Sequence, residues 1–269
     1  MGYFERALLF GALVGLLTGL VGTVTIVRGR VFFAQALSHA TFPGAILAAV
    51  AGVDMIVGAG FSGLVLLGMM VLLGRIPRQG MQVATGIVLT AGFALGMVLQ
   101  ALNPQIPIRP ETVLLGNILF VTAGDVALVS IALAIALGML AAIRRPLLFS
   151  TFDPDGFRAS GGREWVVEGA ALLLIMLTTI VAIPATGSLL AIALIAGPPA
   201  AAGLLTRSWV GMIVVAPVLG AAVAVCGVLL SRTADMSASG TIAILSGSVF
   251  VLALAVRRYI KIQKARPRL

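Results

Sequence analysis

The sequence predicts an all-α fold, a polytopic bundle of transmembrane helices. Hydrophobic residues make up 60% of the chain, charged residues only 10%, and the mean hydropathy is +1.16. A water-soluble domain carries about 25% charged residues. The apolar residues also gather into runs of about 20, the length that a helix needs to cross a bilayer. We therefore expect a single transmembrane domain over residues 1–269 with no room for a soluble one.

Nine apolar runs are long enough to span a bilayer, or nearly so. They lie at about 7–27, 33–52, 56–74, 82–102, 126–143, 165–184, 187–205, 210–231 and 240–257. Neighbouring runs could instead form one broken helix, so the bundle has eight or nine spans. In the first run, Gly11, Gly15 and Gly19 recur every four residues, a spacing that lets two helices approach closely. A shorter apolar segment at 113–121 predicts a re-entrant or interfacial helix.

The basic residues orient the bundle. If the C-terminus lies inside the cell and nine spans alternate, only Arg6, Arg109 and Arg232 of the 18 basic residues lie outside. The positive-inside rule then predicts a multi-pass protein of the plasma membrane with a basic cytoplasmic tail at 257–269. The same rule explains the net charge of +9 without nucleic-acid binding.

The second run carries the polar residues of most interest. His39 is the only histidine, and Gln35 precedes it by one helical turn, so both side chains share a face. Polar groups at membrane depth are costly and usually face a bundle interior or a water-filled path. Ser38 lies beside them, and Pro43 frees the carbonyl of His39. These residues favour a transport-path site and a structural hydrogen bond with a proline kink about equally.

A double proline, Pro198–Pro199, interrupts the run at 187–205. It breaks the hydrogen-bond ladder and is tolerated only where protein or water covers the freed carbonyls. Broken helices near the middle of the membrane often line substrate sites. We therefore expect the pair on the transport path, with a simple kink as the alternative.

The longest polar stretch, at about 144–164, lies inside under this orientation. Its central part, Phe152–Gly161 (FDPDGFRASG), combines two aromatic side chains, two carboxylates and glycines. These residues favour a short amphipathic element that offers Phe152 and Phe157 to a partner. A solvated loop is the alternative.

The sequence contains neither a P-loop, nor an H-E-x-x-H motif, nor a nucleophile elbow. No carboxylate pair lies inside a span. No intramembrane enzyme chemistry is therefore visible, and we do not expect an enzyme.

Five segments in order resemble the permease subunits of ABC importers for divalent manganese, zinc or iron, the ABC-3 family. They are QALSHATFPG at Gln35–Gly44, LLGNIL at Leu114–Leu119, FDPDGFRASG at Phe152–Gly161, GSLLAIALIAGPPA at Gly187–Ala200, and LS followed by Asp235 and Ser239–Gly240. The resemblance covers about 28–250, nearly the whole chain. No single motif is decisive, but five in the family's order are specific.

The resemblance implies a function and a set of partners. The chain would import a divalent metal, with ATP hydrolysed on two separate cytoplasmic ATPase subunits. It would also need an external metal-binding protein and a second permease copy, taken here as identical. The path between the two copies would use His39, helped by Gln35. The residues that would couple to the ATPase are Phe152, Asp153, Asp155, Phe157 and Gly161.

One position departs from the family pattern, because Gln35 stands where the family has an aspartate. A carboxylate binds a divalent ion better than an amide and neutralises its charge. Since imidazole suits zinc, the neutral pair Gln35 and His39 favours zinc over manganese. Gln35 also leaves open another cargo, such as a metal chelate. A carrier that works without ATP is the alternative of a different class, and only His39 could couple a proton there.

Overall fold

The computed structural model describes residues 2–73, 81–105, 116 and 118–265. Within these ranges the chain is helical and has no strand, which confirms the predicted all-α class. The helices are α1 (Tyr3–Val27), α2 (Val31–Ala40), α3 (Phe42–Val50), α4 (Met55–Leu73), α5 (Met81–Leu102), α6 (Ala123–Phe152), α7 (Pro154–Ala159), α8 (Glu164–Leu205), α9 (Trp209–Ala234) and α10 (Ala238–Ala265). The predicted re-entrant segment at 113–121 lies largely outside the described residues, apart from Gly116, a 3-10 turn at Ile118–Phe120 and Val121.

The described helices supply eight segments that are long and apolar enough to cross a membrane. They are Tyr3–Val27, Val31–Val50, Thr85–Leu102, Ala123–Phe152, Glu164–Ile183, Ala185–Leu205, Trp209–Ala234 and Ala238–Gln263. The apolar helix α4 is the shorter ninth, with Met55–Met70 as its apolar part. Each of the nine predicted runs therefore coincides with an apolar helical segment.

The core of the bundle forms where α1 packs against α8 and α9. In the most apolar stretch of α1, 72% of the residues are buried, against 17% in α5. The predicted close approach at the glycines of α1 is confirmed. A Cβ atom at Gly15 would lie 2.4 Å from the carbonyl oxygen of Gly220, and one at Gly19 would lie 2.5 Å from that of Ala216. The two backbones are therefore in direct contact.

The second span divides into α2 and α3 at Thr41, two residues before Pro43. Thr41 keeps right-handed helical angles (φ −76°, ψ −18°), and its N–H bonds to the Leu37 carbonyl at 3.0 Å, so the kink at Pro43 stays a prediction. Three hydroxyls donate hydrogen bonds to carbonyl oxygens in this region: Ser38 to Gln35 at 2.7 Å, Thr41 to Ser38 at 3.3 Å, and Ser62 to Thr41 at 3.4 Å. The Thr41 oxygen also accepts the Ala45 N–H at 3.1 Å, so the Ser62 hydroxyl shares a carbonyl that already belongs to the helical ladder.

The predicted interruption at Pro198 and Pro199 is wrong, because α8 stays helical through both prolines. The proline rings remove the N–H groups that would bond to the carbonyls of Leu194 and Ile195. Helix α1 covers one of these oxygens, since a Cβ atom at Gly22 would lie only 2.3 Å from the Ile195 carbonyl oxygen. Tight packing against α1 replaces the break that we expected.

The break in α8 lies at Gly187, whose φ of 76° and ψ of 162° are open to glycine but strained for other residues. Glu168 contacts Arg28 at the end of α1, and Pro199 lies beside Gly22 near that same end. A straight helix from Glu168 to Pro199 would be about 46 Å long. The chain therefore reverses at Gly187, and α8 contains two antiparallel spans.

Candidate functional site

The polar face of α2 is formed by Gln35 and His39, and both side chains are half-buried. The ring of His39 meets Phe93 of α5 edge to face, with the centroids 5.3 Å apart and the planes at 81°. Phe93 in turn stacks on Phe42 of α3 at 5.9 Å. We call Gln35, His39 and Phe93 the path face.

Neither polar side chain of the path face has a hydrogen-bond partner among the described residues. The same part of the chain contains no group of three or more His, Cys, Asp or Glu that could hold a metal ion. One chain thus presents two neutral donors, an amide and an imidazole. Zinc takes about four ligands and hard cations take more. A complete coordination shell at this face needs donors from another source, such as a second copy or water.

The structure buries the other residues predicted for the path, Ser38, Pro43, Pro198 and Pro199. Ser38 is only 1% exposed, and its hydroxyl donates to the carbonyl of Gln35. Pro199 packs beside Gly22 of α1. Their contacts indicate that these four residues shape and pack the helices.

Sequence reasoning missed Phe93, although a local signal was available. Gly92 and Gly96 flank it at a four-residue spacing, which favours close helix packing. A Cβ atom at Gly92 would lie 2.8 Å from the Cβ of Ala40, and one at Gly96 would lie 2.3 Å from the ring of Phe42. These glycines let α5 press Phe93 against the ring of His39.

The predicted coupling segment contains the short helix α7, as its amphipathic sequence favours. Asp153 begins α7, and its carboxylate accepts a hydrogen bond from the Gly156 N–H at 2.9 Å. Gly161 ends the segment at a φ of 81°, where a residue other than glycine would be strained. Phe152 is 73% exposed, and Asp155 is also exposed.

Phe157 does not point outward, contrary to our expectation. It is 7% exposed and meets Phe149 edge to face, with a centroid separation of 5.5 Å. An aromatic ring on a one-and-a-half-turn helix is stabilised when it packs onto the neighbouring helix, here α6. Phe157 therefore anchors α7, and Phe152 and Asp155 form its exposed surface.

An exposed ion pair ties α7 to the start of α8. The Arg158 Nε donates to Glu164 at 2.8 Å, and an Arg158 Nη contacts Asp155 at 3.2 Å. The hydrogen bond and the charge of Glu164 raise the pKa of Arg158. Solvent screens such a pair, so it contributes little to stability.

A second, more buried ion cluster lies one turn further along α8, and sequence reasoning missed it. Arg28 donates to Glu168 at 2.6 Å and to the Ser150 hydroxyl, and Arg30 Nε lies 2.7 Å from the other Glu168 oxygen. The side chains of Arg28 and Glu168 are 7% and 16% exposed. We call Arg28, Arg30, Ser150 and Glu168 the ion junction. The two arginines precede Ser150 and Glu168 by 120 or more positions, so no local pattern marked the cluster.

The ion junction and α7 lie at one end of the bundle, which we call the basic end. At the opposite end, the guanidinium of Arg232 lies 4.4 Å from the ring centroid of Phe4. The end of α1 thus lies beside the start of α8, and the start of α1 lies beside the end of α9. This arrangement is the one that spans of alternating direction require.

Comparison with known proteins gives consistent matches over nearly the whole chain. The ABC 3 transport family description matches residues 1–257. The manganese transport system membrane protein MntC of Halalkalibacterium halodurans is 32% identical over 93% of this chain and 86% of its own length. A probable iron transport system membrane protein of Haemophilus influenzae is 30% identical over 94% and 93%. The solved structure of PsaBC from Streptococcus pneumoniae in complex with Fab matches with a TM-score of 0.84 and 26% identity, covering 98% of this chain and 96% of that one.

Proposed function

The chain belongs to the ABC 3 transport family, and from that premise we propose that it is the membrane permease of an importer for a divalent transition metal. Manganese is the first candidate and iron the second, because relatives at 32% and 30% identity are named for these metals. Zinc, which the neutral donors Gln35 and His39 favour, is the third.

The observation that carries this proposal is the path face. Gln35 and His39 lie on one side of α2, half-buried and without hydrogen-bond partners among the described residues. A polar pair at membrane depth is costly unless it meets water, a partner helix or a cargo. Two copies of the chain that meet at this face would bring two imidazoles and two amides together. Such a site binds weakly, which suits an ion in transit.

The basic end supplies the second part of the proposal. We place it in the cytoplasm, since most of the basic residues would then lie inside. The ATPase subunits would dock on α7, with Phe152 and Asp155 as the exposed contacts. Asp153, Phe157 and Gly161 would hold α7 in shape. A separate external protein would deliver the metal, so tight binding in the permease is unnecessary.

Metal uptake into vesicles tests the proposal. The permease is reconstituted with its ATPase and external binding protein, and labelled manganese, iron and zinc compete for uptake with and without ATP. Wild type should accumulate manganese only with ATP. The variant His39→Ala should lose at least about tenfold in uptake, because a path donor is removed.

Ser130→Ala is the matched control for His39→Ala. Its hydroxyl lies on a different span, α6, is exposed and bonds only to the Val126 carbonyl. It should keep wild-type uptake.

Normal uptake by His39→Ala would remove His39 from the path. Uptake that needs a proton gradient and no ATPase would replace the proposal with a secondary carrier, and uptake of a metal chelate alone would mean that Gln35 marks a change of cargo.

A further inference from the structure

The ion junction lies where three parts of the molecule meet. Arg28 is the residue that ends α1, and Arg30 is the residue that precedes α2. Ser150 lies in the last turn of α6, and Glu168 lies in the second turn of α8. In sequence, α7 lies between α6 and α8. The junction therefore connects the helices on both sides of α7, which we call the docking segment, to the start of α2.

Arg28 is held in place by the way α1 ends. The N–H of Arg30 bonds to the Thr25 carbonyl at 2.8 Å and that of Gly29 bonds to the Ile26 carbonyl at 3.0 Å, with Gly29 in the left-handed region. This pair of bonds is a Schellman motif. It fixes the chain between α1 and α2 and directs both arginines toward Glu168. Since α1 is the most buried span, Arg28 is the stationary partner.

Glu168 bridges the two arginines with separate oxygens. Its Oε2 accepts a hydrogen bond from Arg28 at 2.6 Å. Its Oε1 lies 2.7 Å from Arg30 Nε but without the alignment of a hydrogen bond. The Arg30 contact is therefore the weaker one and can be released at a lower cost than the Arg28 contact.

Arg30 leads directly to the path face. Gln35 and His39 follow it by five and nine residues, or about 7 and 13 Å along the axis of α2. A shift of the first turn of α2 therefore moves both donors. Only Thr41 separates α2 from α3, and Pro43 removes one bond of the helical ladder beside it, so a tilt of α2 relative to α3 meets less resistance here.

We propose that Glu168 is a positioning residue that couples the docking segment to α2. This inference rests on the proposed function. When the ATPases move α7, the start of α8 shifts, and Glu168 makes or breaks its contact with Arg30. Arg28, bonded to Ser150 and to the Leu147 carbonyl, keeps the ends of α6 and α8 together during this change. The charge of Glu168 thereby sets the tilt of α2 and the exposure of Gln35 and His39.

The test measures metal taken up per ATP hydrolysed in the complete reconstituted complex. The variants are Glu168→Gln, which keeps the size of the side chain and removes its charge, and Arg30→Gln, which leaves the Arg28–Glu168 pair intact. Both should assemble with the ATPase, retain ATP hydrolysis and lose about fivefold or more in uptake per ATP. Arg30→Lys, which restores the charge, should recover most of the ratio.

Glu5→Gln is the matched control, since Glu5 is an exposed carboxylate at the start of α1, at the opposite end of the bundle from the junction. It should keep the wild-type ratio. An unchanged ratio in Arg30→Gln would overturn the inference even if Glu168→Gln failed to fold. A lower thermal midpoint with an unchanged ratio would show that the junction only stabilises the fold. A wild-type complex without ATP-dependent uptake would overturn the proposed function itself, and this inference with it.

Discussion

The ion junction and the path face are both polar, but only the ion junction is ion-paired within the chain, although Arg28 Nε, Arg30 Nε and Glu168 Oε1 have no hydrogen bond there. At the junction, Glu168 is matched by Arg28 and Arg30, and Arg28 also bonds to Ser150. At the path face, Gln35 and His39 are neutral and have no hydrogen-bond partner in the described part of the chain. The two regions therefore differ in what they interact with. The charges of the junction are paired within its own fold, whereas the path face still needs donors from another source, such as a second copy, water or cargo.

This difference separates stability from transport. Substitutions at the junction remove interactions that the folded chain already makes, so they change its stability and coupling. Substitutions at the path face remove groups that have few interactions within the chain, so they change transport with little effect on stability. A variant that violated either rule would show that the two regions are not distinct.

The largest effect is expected at the junction. Glu168→Leu leaves two arginines without their carboxylate at a largely buried site, which costs about 3–5 kcal/mol. Thermal unfolding of the detergent-solubilised protein should show a midpoint lower by several degrees. Glu164→Leu removes an exposed, solvent-screened pair and should lower the midpoint far less. Equal shifts for the two variants would mean that burial does not distinguish the pairs.

The next largest effect is expected where α5 packs against α2 at the path face. Gly92→Val places a side chain against Ala40, which pushes α5 from α2 and separates Phe93 from His39. Overpacking of this kind costs about 1–3 kcal/mol, and uptake should fall as the path face loses its shape. Gly86→Val is the control on the same helix, because a Cβ atom there meets nothing within 4 Å. Similar unfolding midpoints for both variants would contradict the close packing at Gly92.

The sequence predicts the helices better than it predicts their junctions. Helical spans follow from apolar runs, and the close packing of α1 follows from its glycine spacing. The reversal within α8 follows from the separate apolar runs at 165–184 and 187–205 and occurs at Gly187, whereas the expected interruption at Pro198 and Pro199 is absent, because α1 covers the Ile195 carbonyl. Only packing between distant helices decides which carbonyl is covered, and one sequence does not show that packing.

The candidate site follows the same rule. The spacing of Gln35 and His39 on one helix predicts that they share a face. The amphipathic sequence at 152–161 likewise predicts the short helix α7. Glu168 could not be found in this way, because its partners lie about 140 residues away. The burial of Phe157 likewise depends on Phe149, which belongs to the preceding helix.

A smaller effect on stability is expected from His39→Ala. The variant loses one edge-to-face contact with Phe93, worth about 0.5–1.5 kcal/mol. The unfolding midpoint should therefore fall less than in Glu168→Leu, even where uptake falls by an order of magnitude or more. A loss of stability as large as that of Glu168→Leu would show that His39 is a core residue, and the contrast between the two regions would fail.

The smallest effect is expected from Gln35→Asp, which concerns selectivity alone. A carboxylate adds a negative oxygen donor to the path face, and hard cations such as Mn²⁺ prefer such a donor over an amide. The ratio of manganese to zinc uptake should rise severalfold in competition, with an unchanged unfolding midpoint because Gln35 has no hydrogen-bond partner in the described part of the chain. Gln35→Asn, which shortens the side chain equally and keeps the amide, is the control. If both variants shift the ratio equally, the length of the side chain and not its charge sets the selectivity at this position.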